Sequence, residues 1–140
     1  MRRDQLEHAI RTACQIIHQP AVIVVGSQAI LGTYDESQLP AAATMSIEVD
    51  ILPIADSPNE TARLADLIEG VAGELSPFEE LHGFSIDGVD LETAVLPERL
   101  ARSTGQGAER QHRSASRRTA LHWLVPRQGG PLCRKAGCPT

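Results

Sequence analysis

The sequence predicts an α/β domain in which helices and short strands alternate along the first 96 of its 140 residues. Three observations indicate this class. An amphipathic helix precedes a wholly apolar run at residues 21–25, a strand at residues 45–52 alternates apolar and polar side chains, and a capped helix follows Ser57. We expect the order α-β-α-β-α-β-β, a mixed sheet flanked by helices.

The first helix is predicted over residues 3–18, where apolar side chains recur at the spacing of one helical face. Pro20 ends this helix. The β-branched run that follows, residues 21–25, contains no polar side chain. Such a run favours a strand that is buried on both faces. The helical stripe comprises Leu6, Ala9, Ile10, Ala13, Ile16 and Ile17.

Gly26 and Ser27 turn the chain after this strand, and residues 28–31 are expected to form a helical turn before a loop over residues 33–43. The next strand has two distinct sides because alternate side chains of a strand point in opposite directions. One side comprises Met45, Ile47, Val49 and Ile51, and the other comprises Ser46, Glu48 and Asp50.

The second long helix begins with a capping box, Ser57 to Glu60, with Pro58 at the first helical position. Its apolar stripe is predicted to comprise Leu64, Leu67, Ile68, Val71 and Leu75. Residues 84–86 and 89–96 are predicted to pair as a hairpin, because Asp87-Gly88 between them is a typical hairpin turn.

The charge of the chain is unevenly distributed. The net charge is -5, but residues 1–96 hold 16 acids against four arginines, whereas residues 97–140 carry a net charge of +7. Apolar periodicity also ends near Leu96. We therefore predict a domain over residues 1–98 and a basic, irregular tail over residues 99–140. The alternative for the tail is a nucleic-acid-binding arm.

Composition excludes several classes of protein. No apolar run approaches the roughly 20 residues of a membrane helix. The N-terminal segment carries acids and lacks a continuous apolar region, so it does not resemble a secretory signal. Three cysteines, one early and two late, do not form a disulfide framework. We expect a cytoplasmic protein without a membrane partner.

Two acids and one turn suggest chemistry. Glu48 and Asp50 are two residues apart on one strand, so their carboxylates share a face. Neighbouring carboxylates repel each other unless a cation lies between them. Mg²⁺ suits such oxygen ligands and usually also binds substrate phosphates, and the turn at Gly26-Ser27 offers N–H groups to an anion. The alternatives are an ordinary turn and a solvent-facing acidic strand.

The segments VIVVGSQAILG, SIEVDILP and GELSPFEELHGFSIDGVDLETAVLPE resemble a small bacterial family of nucleotidyltransferase-fold proteins of unassigned function. That family is similar to the minimal nucleotidyltransferases and to abortive-infection-type toxins of toxin–antitoxin pairs. The resemblance covers residues 1–98. It implies that Gly26 and Ser27 bind the triphosphate, that Glu48 and Asp50 bind the metal, and that Ser46 is an auxiliary polar group.

The chain departs from the family pattern in its site residues. The first acid is a glutamate, Glu48, rather than an aspartate. A third acid is normally required, and Glu92 is our candidate, with Asp90 as the alternative by position. Toxin-like relatives also carry a lysine on a D-x-x-D-L-x-x-x-K helix and a later acid, and this chain has neither.

The basic tail suggests why the lysine is missing. Back-translation of residues 98–139, read one base downstream, permits a family-like continuation that contains the D-x-x-D-L-x-x-x-K pattern. Our hypothesis is that one base is missing near codons 98–99, which leaves the domain truncated and the tail frame-shifted.

We therefore expect a nucleotidyltransferase-like protein that uses Mg²⁺ to transfer a nucleotidyl group from a nucleoside triphosphate to an acceptor, with little or no activity in this chain. The resemblance to toxins adds tRNA as the acceptor and a cognate antitoxin as a partner. The first alternative is a non-catalytic nucleotide- or protein-binding module of a toxin–antitoxin or regulatory pair. The second is a degraded gene product that does not fold stably.

Overall fold

The computed structural model describes residues 1–94 and the backbone of residues 121–124. Helices and strands alternate, with three short 3-10 helices between the first two strands. The elements, in chain order, are α1 (Arg3–Ile17), β1 (Ala21–Val25), the 3-10 helices Ser27–Gly32, Glu36–Gln38 and Ala41–Thr44, β2 (Glu48–Pro53), α2 (Pro58–Ala72), α3 (Pro77–His82), β3 (Ser85–Gly88) and β4 (Leu121–Leu124).

The strands form one mixed sheet in the order β3-β2-β1-β4. β1 is antiparallel to both of its neighbours, whereas β2 and β3 are parallel. A parallel pair needs a long crossover connection, and α2 and α3 supply it. The α/β class, with a mixed sheet and flanking helices, is confirmed.

One face of the sheet is covered by α1 and α2. The side chains that point toward these helices are fully buried: Val22, Val24, Val49, Ile51 and Ile86. Gly88 lets α2 lie directly on β3, because a Cβ at this position would be 2.0 Å from the carbonyl oxygen of Ala65. The main core therefore lies between the helices and the sheet.

The opposite face carries a smaller apolar cluster of Ile23, Val25, Leu52, Val89 and Ala94. Since both sets of β1 side chains are buried, the prediction that this strand is buried on both faces is confirmed. The prediction of α1 is also confirmed to within one residue.

The N-cap of α2 is as predicted, but the Glu60 carboxylate accepts from Arg63 and does not complete the predicted capping box. The buried face of the helix also differs in part. The Oγ of Ser57 accepts a hydrogen bond from the N–H of Glu60, 3.2 Å away, and Pro58 is the first helical residue. Leu64 and Ile68 are buried, but the prediction was wrong for the other three stripe residues, Leu67, Val71 and Leu75, which are exposed. The smaller side chains of Thr61, Ala65 and Ala72 are buried instead.

The predicted hairpin is wrong over the described residues. Asp87 and Gly88 belong to β3 itself, which pairs with β2. The chain turns only after the strand, where Oδ1 of Asp90 accepts hydrogen bonds from the N–H groups of Glu92 and Thr93. Residues 95 and 96 lie outside the described residues.

Two further differences concern local structure. The second strand begins at Glu48, so Met45 and Ile47 are not core residues; they are 77% and 57% exposed. No helix was predicted between α2 and β3. α3 begins there because the Oγ of Ser76 accepts from the N–H of Glu79, with Pro77 at the first helical position.

Four residues of the segment expected to be irregular, Leu121–Leu124, form β4 beside β1. The remainder of the predicted tail lies outside the described residues. Within the part of the chain that the structure describes, none of the helices has the length and apolar character needed to cross a bilayer.

Candidate metal centre

Three carboxylates meet at one end of the sheet, on the face away from α1 and α2. Glu48, Asp50 and Asp87 each place one oxygen so that these atoms all lie within 4.8 Å of one another. The strand register explains the cluster. Asp50 is the partner of Asp87 across the parallel pair, and Glu48 is two residues from Asp50 on the same face. Oxygens at this spacing could hold a metal ion.

The turn after β1 lies against this cluster. Val25 is the register partner of Asp50, so the next residue, Gly26, borders the Asp50 carboxylate. A Cβ on Gly26 would be 2.5 Å from Oδ2 of Asp50. Gly26 also has a φ of 80°, which side-chain-bearing residues rarely adopt. Only glycine therefore allows the chain to turn so close to the carboxylate.

Ser27 follows this turn and is exposed, whereas Gln28 beside it is buried. The Nε2 of Gln28 donates to the Oγ of Ser27 at 3.3 Å and to the carbonyl oxygen of Ala43 at 3.4 Å. The turn opens a six-residue 3-10 helix, not an α-helix. The groups that this turn presents to solvent are therefore individual N–H and O–H groups.

Ser46 anchors the start of β2 and is not in the carboxylate cluster. Its Oγ accepts from the N–H of Glu48 at 3.2 Å and donates to the carbonyl oxygen of the same residue at 3.1 Å. The α-amino group of Met1 donates to the carbonyl oxygens of Thr44 and Ser46. These bonds fix the backbone from which Glu48 projects.

The electrostatics of the cluster favour a cation. Desolvation raises the pKa of Glu48 above its ordinary value, and the negative charges of Asp87, Asp50 and Glu74 raise it further. A hydrogen bond to Asp87 contributes in the same direction. A bound cation would remove this repulsion by placing positive charge among the carboxylates.

The structure brings together most of the residues that the sequence singled out. Glu48 and Asp50 are in the cluster, and Gly26 adjoins it. The third acid in the cluster is Asp87, which the sequence analysis assigned to a hairpin turn. Glu92, our candidate, lies in the turn after β3 and is not part of the group. Asp87 could have been identified only by predicting that β3 pairs in parallel with β2, which places it opposite Asp50.

Cationic side chains within the described residues are engaged elsewhere. The arginines of this part of the chain form ion pairs on α1 and at the start of α2: Arg2 with Asp4, Arg3 and Arg11 with Glu7, and Arg63 with Glu60. The single lysine of the chain, Lys135, lies outside the described residues.

Cys14 is a buried free thiol on α1. Burial raises its pKa to about 11, so it remains a neutral thiol in the core at physiological pH. It takes no part in the carboxylate cluster.

The candidate centre rests on the geometry of the chain's own residues. Comparison of the chain with family models, with curated proteins and with solved structures finds no match. The relationship to nucleotidyltransferases therefore stays a prediction from the sequence motifs.

Proposed function

We propose that this domain binds Mg²⁺ through Glu48, Asp50 and Asp87 and thereby holds a nucleoside triphosphate for nucleotidyl transfer to an acceptor hydroxyl. The observation that carries the proposal is the convergence of three carboxylate oxygens within 4.8 Å, directly beside the glycine turn after β1. Mg²⁺ suits the site because its preferred ligands are carboxylate oxygens and substrate phosphates.

The residues present fit the ion in three respects. All three ligands are hard oxygen donors, and none of the group is a histidine or cysteine, which favours Mg²⁺ over softer transition metals. The three side chains are partly or largely exposed, so open coordination positions remain for phosphate and water. Desolvation raises the pKa of Glu48, and the negative charges of Asp87, Asp50 and Glu74 raise it further. A bound cation would relieve this repulsion.

In the proposed transfer, the acceptor hydroxyl oxygen bonds to the α-phosphorus, the bond to the bridging oxygen breaks, and pyrophosphate leaves with the electron pair. The hydroxyl proton passes to water. When bound, Mg²⁺ supplies stabilisation of the negative charge on the phosphate oxygens. Ser27 and the backbone N–H groups of the turn would donate to the phosphates, and the three carboxylates would fix the position of the reacting group.

A second candidate function is binding of the metal–nucleotide complex without transfer. The arginines of the described residues are committed to ion pairs on α1 and α2. None of these four arginines is therefore placed to stabilise charge in a transition state at the cluster. This observation favours binding without transfer as the second candidate.

The test is calorimetric titration of the full chain with each of the four ribonucleoside triphosphates, with and without Mg²⁺. We expect saturable binding only when Mg²⁺ is present. Asp50→Asn should abolish it, because it removes one of the ligand charges. Asp56→Asn is the matched control: it removes the same charge from an exposed side chain beyond the opposite end of β2, and should bind normally.

Transfer is then measured with α-labelled nucleotides and candidate RNA or protein acceptors. Label incorporation that Asp50→Asn abolishes would establish nucleotidyl transfer, whereas Mg²⁺-dependent binding without incorporation would establish the second candidate. Binding that is independent of Mg²⁺, or that survives Asp50→Asn unchanged, would contradict both.

A further inference from the structure

Gln28 is a buried amide that contacts the exposed Ser27. It is 3% exposed, and its Nε2 bonds both the Oγ of Ser27 and the carbonyl oxygen of Ala43. The amide can adopt only this orientation. In the flipped orientation, Oε1 of Gln28 would face the carbonyl oxygen of Ala43. Both atoms are acceptors, so no hydrogen bond could form between them.

The other end of the same amide is unsatisfied. The Oε1 of Gln28 is buried and has no hydrogen-bond partner within the described part of the chain. A buried acceptor without a donor costs about 1–3 kcal/mol. A methionine has a similar length and would avoid this cost, but it would also lose the hydrogen bond to the carbonyl of Ala43. The two changes roughly offset each other, so fold stability alone does not account for a glutamine here.

The hydrogen bond from Gln28 determines what the Ser27 hydroxyl does. A hydroxyl has one hydrogen and two lone pairs. Since the N–H of Gln28 takes up one lone pair, the hydroxyl hydrogen must point away from Gln28 and toward another acceptor. Ser27 is exposed beside the turn that borders Asp50, where an incoming phosphate would supply that acceptor.

The geometry points to Gln28 as a positioning residue that holds the Ser27 hydroxyl as a hydrogen-bond donor to a phosphate oxygen of the bound triphosphate. This inference rests on the proposed function. It adds a role for a buried residue that does not itself touch the phosphate, and it separates phosphate binding, through Gln28 and Ser27, from metal binding through the carboxylates.

The test is a double-mutant cycle on the full chain with Ser27→Ala and Gln28→Met, using Mg²⁺ with inorganic tripolyphosphate as the probe. Each single variant should weaken tripolyphosphate binding about three- to tenfold, the worth of one hydrogen bond. The double variant should be no weaker than the weaker single variant, because both remove the same interaction. Binding of Mg²⁺ alone should stay within about twofold of the unaltered chain.

Thermal unfolding of the same proteins separates positioning from a structural role. Gln28→Met should melt close to the temperature of the unaltered chain, since removal of the unsatisfied acceptor offsets the lost hydrogen bond to Ala43. Gln19→Met is the matched control, because Gln19 is exposed and precedes β1, whereas Ser27 and Gln28 follow it. This variant should change neither the melting temperature nor tripolyphosphate binding.

Two results would overturn the inference while leaving the proposed function intact. One is additive losses in the double variant. The other is a lower melting temperature for Gln28→Met together with unchanged tripolyphosphate binding. If the unaltered chain shows no saturable, Mg²⁺-dependent binding of any triphosphate or of tripolyphosphate, the proposed function fails and the inference fails with it.

Discussion

Alternate residues of β2 face two different environments. Val49 and Ile51 are fully buried against the helices, whereas Glu48 and Asp50 lie on the opposite face in the carboxylate cluster. Both sets depend on the same register with β1 and β3. Burial of apolar side chains on the helix face stabilises the sheet. This stabilisation offsets the repulsion between the carboxylates on the other face.

The carboxylate cluster is compatible with a stable fold because it takes up only part of the sheet. The acids occupy only one end of their face, and the small apolar cluster around Leu52 occupies the rest. The site is therefore supported by packing along the same strands. Substitutions on the two faces should have effects of opposite sign.

The largest expected effect is on the helix face. Ile51→Ala removes a fully buried side chain between the sheet and the helices and should lower the free energy of unfolding by about 2–5 kcal/mol. Urea unfolding measures this loss. A loss below about 0.5 kcal/mol, the range of ordinary surface changes, would show that this face is not the main core.

The next largest effect is expected at Gly26, where the turn after β1 borders the carboxylate cluster. Gly26→Ala should cost about 1–3 kcal/mol because of the left-handed φ, and its Cβ would displace the Asp50 carboxylate. We expect Mg²⁺ binding to be lost in calorimetry even under conditions where the variant remains folded. Gly70→Ala, on an open position of α2, is the control and should retain binding. Normal Mg²⁺ affinity in Gly26→Ala would contradict the close approach.

A smaller effect of opposite sign is expected at Glu48. Glu48→Gln should raise the stability of the metal-free protein by about 0.5–1 kcal/mol, since it removes a repelled charge at a site that water partly screens. The raised pKa means that the folded state holds the proton more tightly than the unfolded state. The difference in unfolding free energy between the variant and the unaltered chain should therefore disappear as the pH falls through that raised pKa.

Unfolding free energies measured between pH 7 and pH 4 check this prediction. With saturating Mg²⁺ the order should reverse, because the unaltered chain gains binding energy that the variant lacks. A stability gap that is the same at every pH would show that the charge of Glu48 is not repelled.

The smallest effect is at the far side of the core. His8 packs against the rings of Phe78, His82 and Phe84, and its Nε2 is buried without a partner within the described residues. Desolvation lowers its pKa below the ordinary value of 6.5, and the charges of His82 and Arg11 lower it further. The unfolded chain therefore takes up a proton more readily, and stability should decline as pH falls below about 6.5. In His8→Phe the melting temperature should fall less as the pH is lowered. An equal dependence of melting temperature on pH in both proteins would show that His8 does not cause the decline.

Much of the fold could be predicted from local sequence, because α1, β1 and the start of α2 depend on local signals. The periodic apolar residues after Arg3, the run at residues 21–25 and the cap at Ser57 each determine one element. The predicted apolar stripe of α2 was wrong at Leu67 and Val71, because the helix packs on the sheet through small residues. Ala65 faces Gly88 of β3, a contact that sequence spacing does not reveal.

The candidate site was predictable only to the extent that it lies on one strand. Glu48 and Asp50 share a face by periodicity alone, and Gly26-Ser27 is a local turn. Asp87 joins them through the parallel pairing of β2 with β3, which is a tertiary contact. Its Asp-Gly sequence favours a turn locally, yet Gly88 is needed here for the approach of α2, and Asp90 makes the turn instead.

The most direct test of the central claim is a ¹H–¹⁵N NMR titration of the full chain with Mn²⁺, a paramagnetic substitute for Mg²⁺. We expect the amide signals of Gly26, Asp50 and Asp87 to broaden first, at substoichiometric Mn²⁺. Excess Mg²⁺ should reverse the broadening, and Asp50→Asn should abolish it. Broadening that is spread evenly over the acidic surface, or centred on the exposed acids of α2, would contradict a metal centre at Glu48, Asp50 and Asp87.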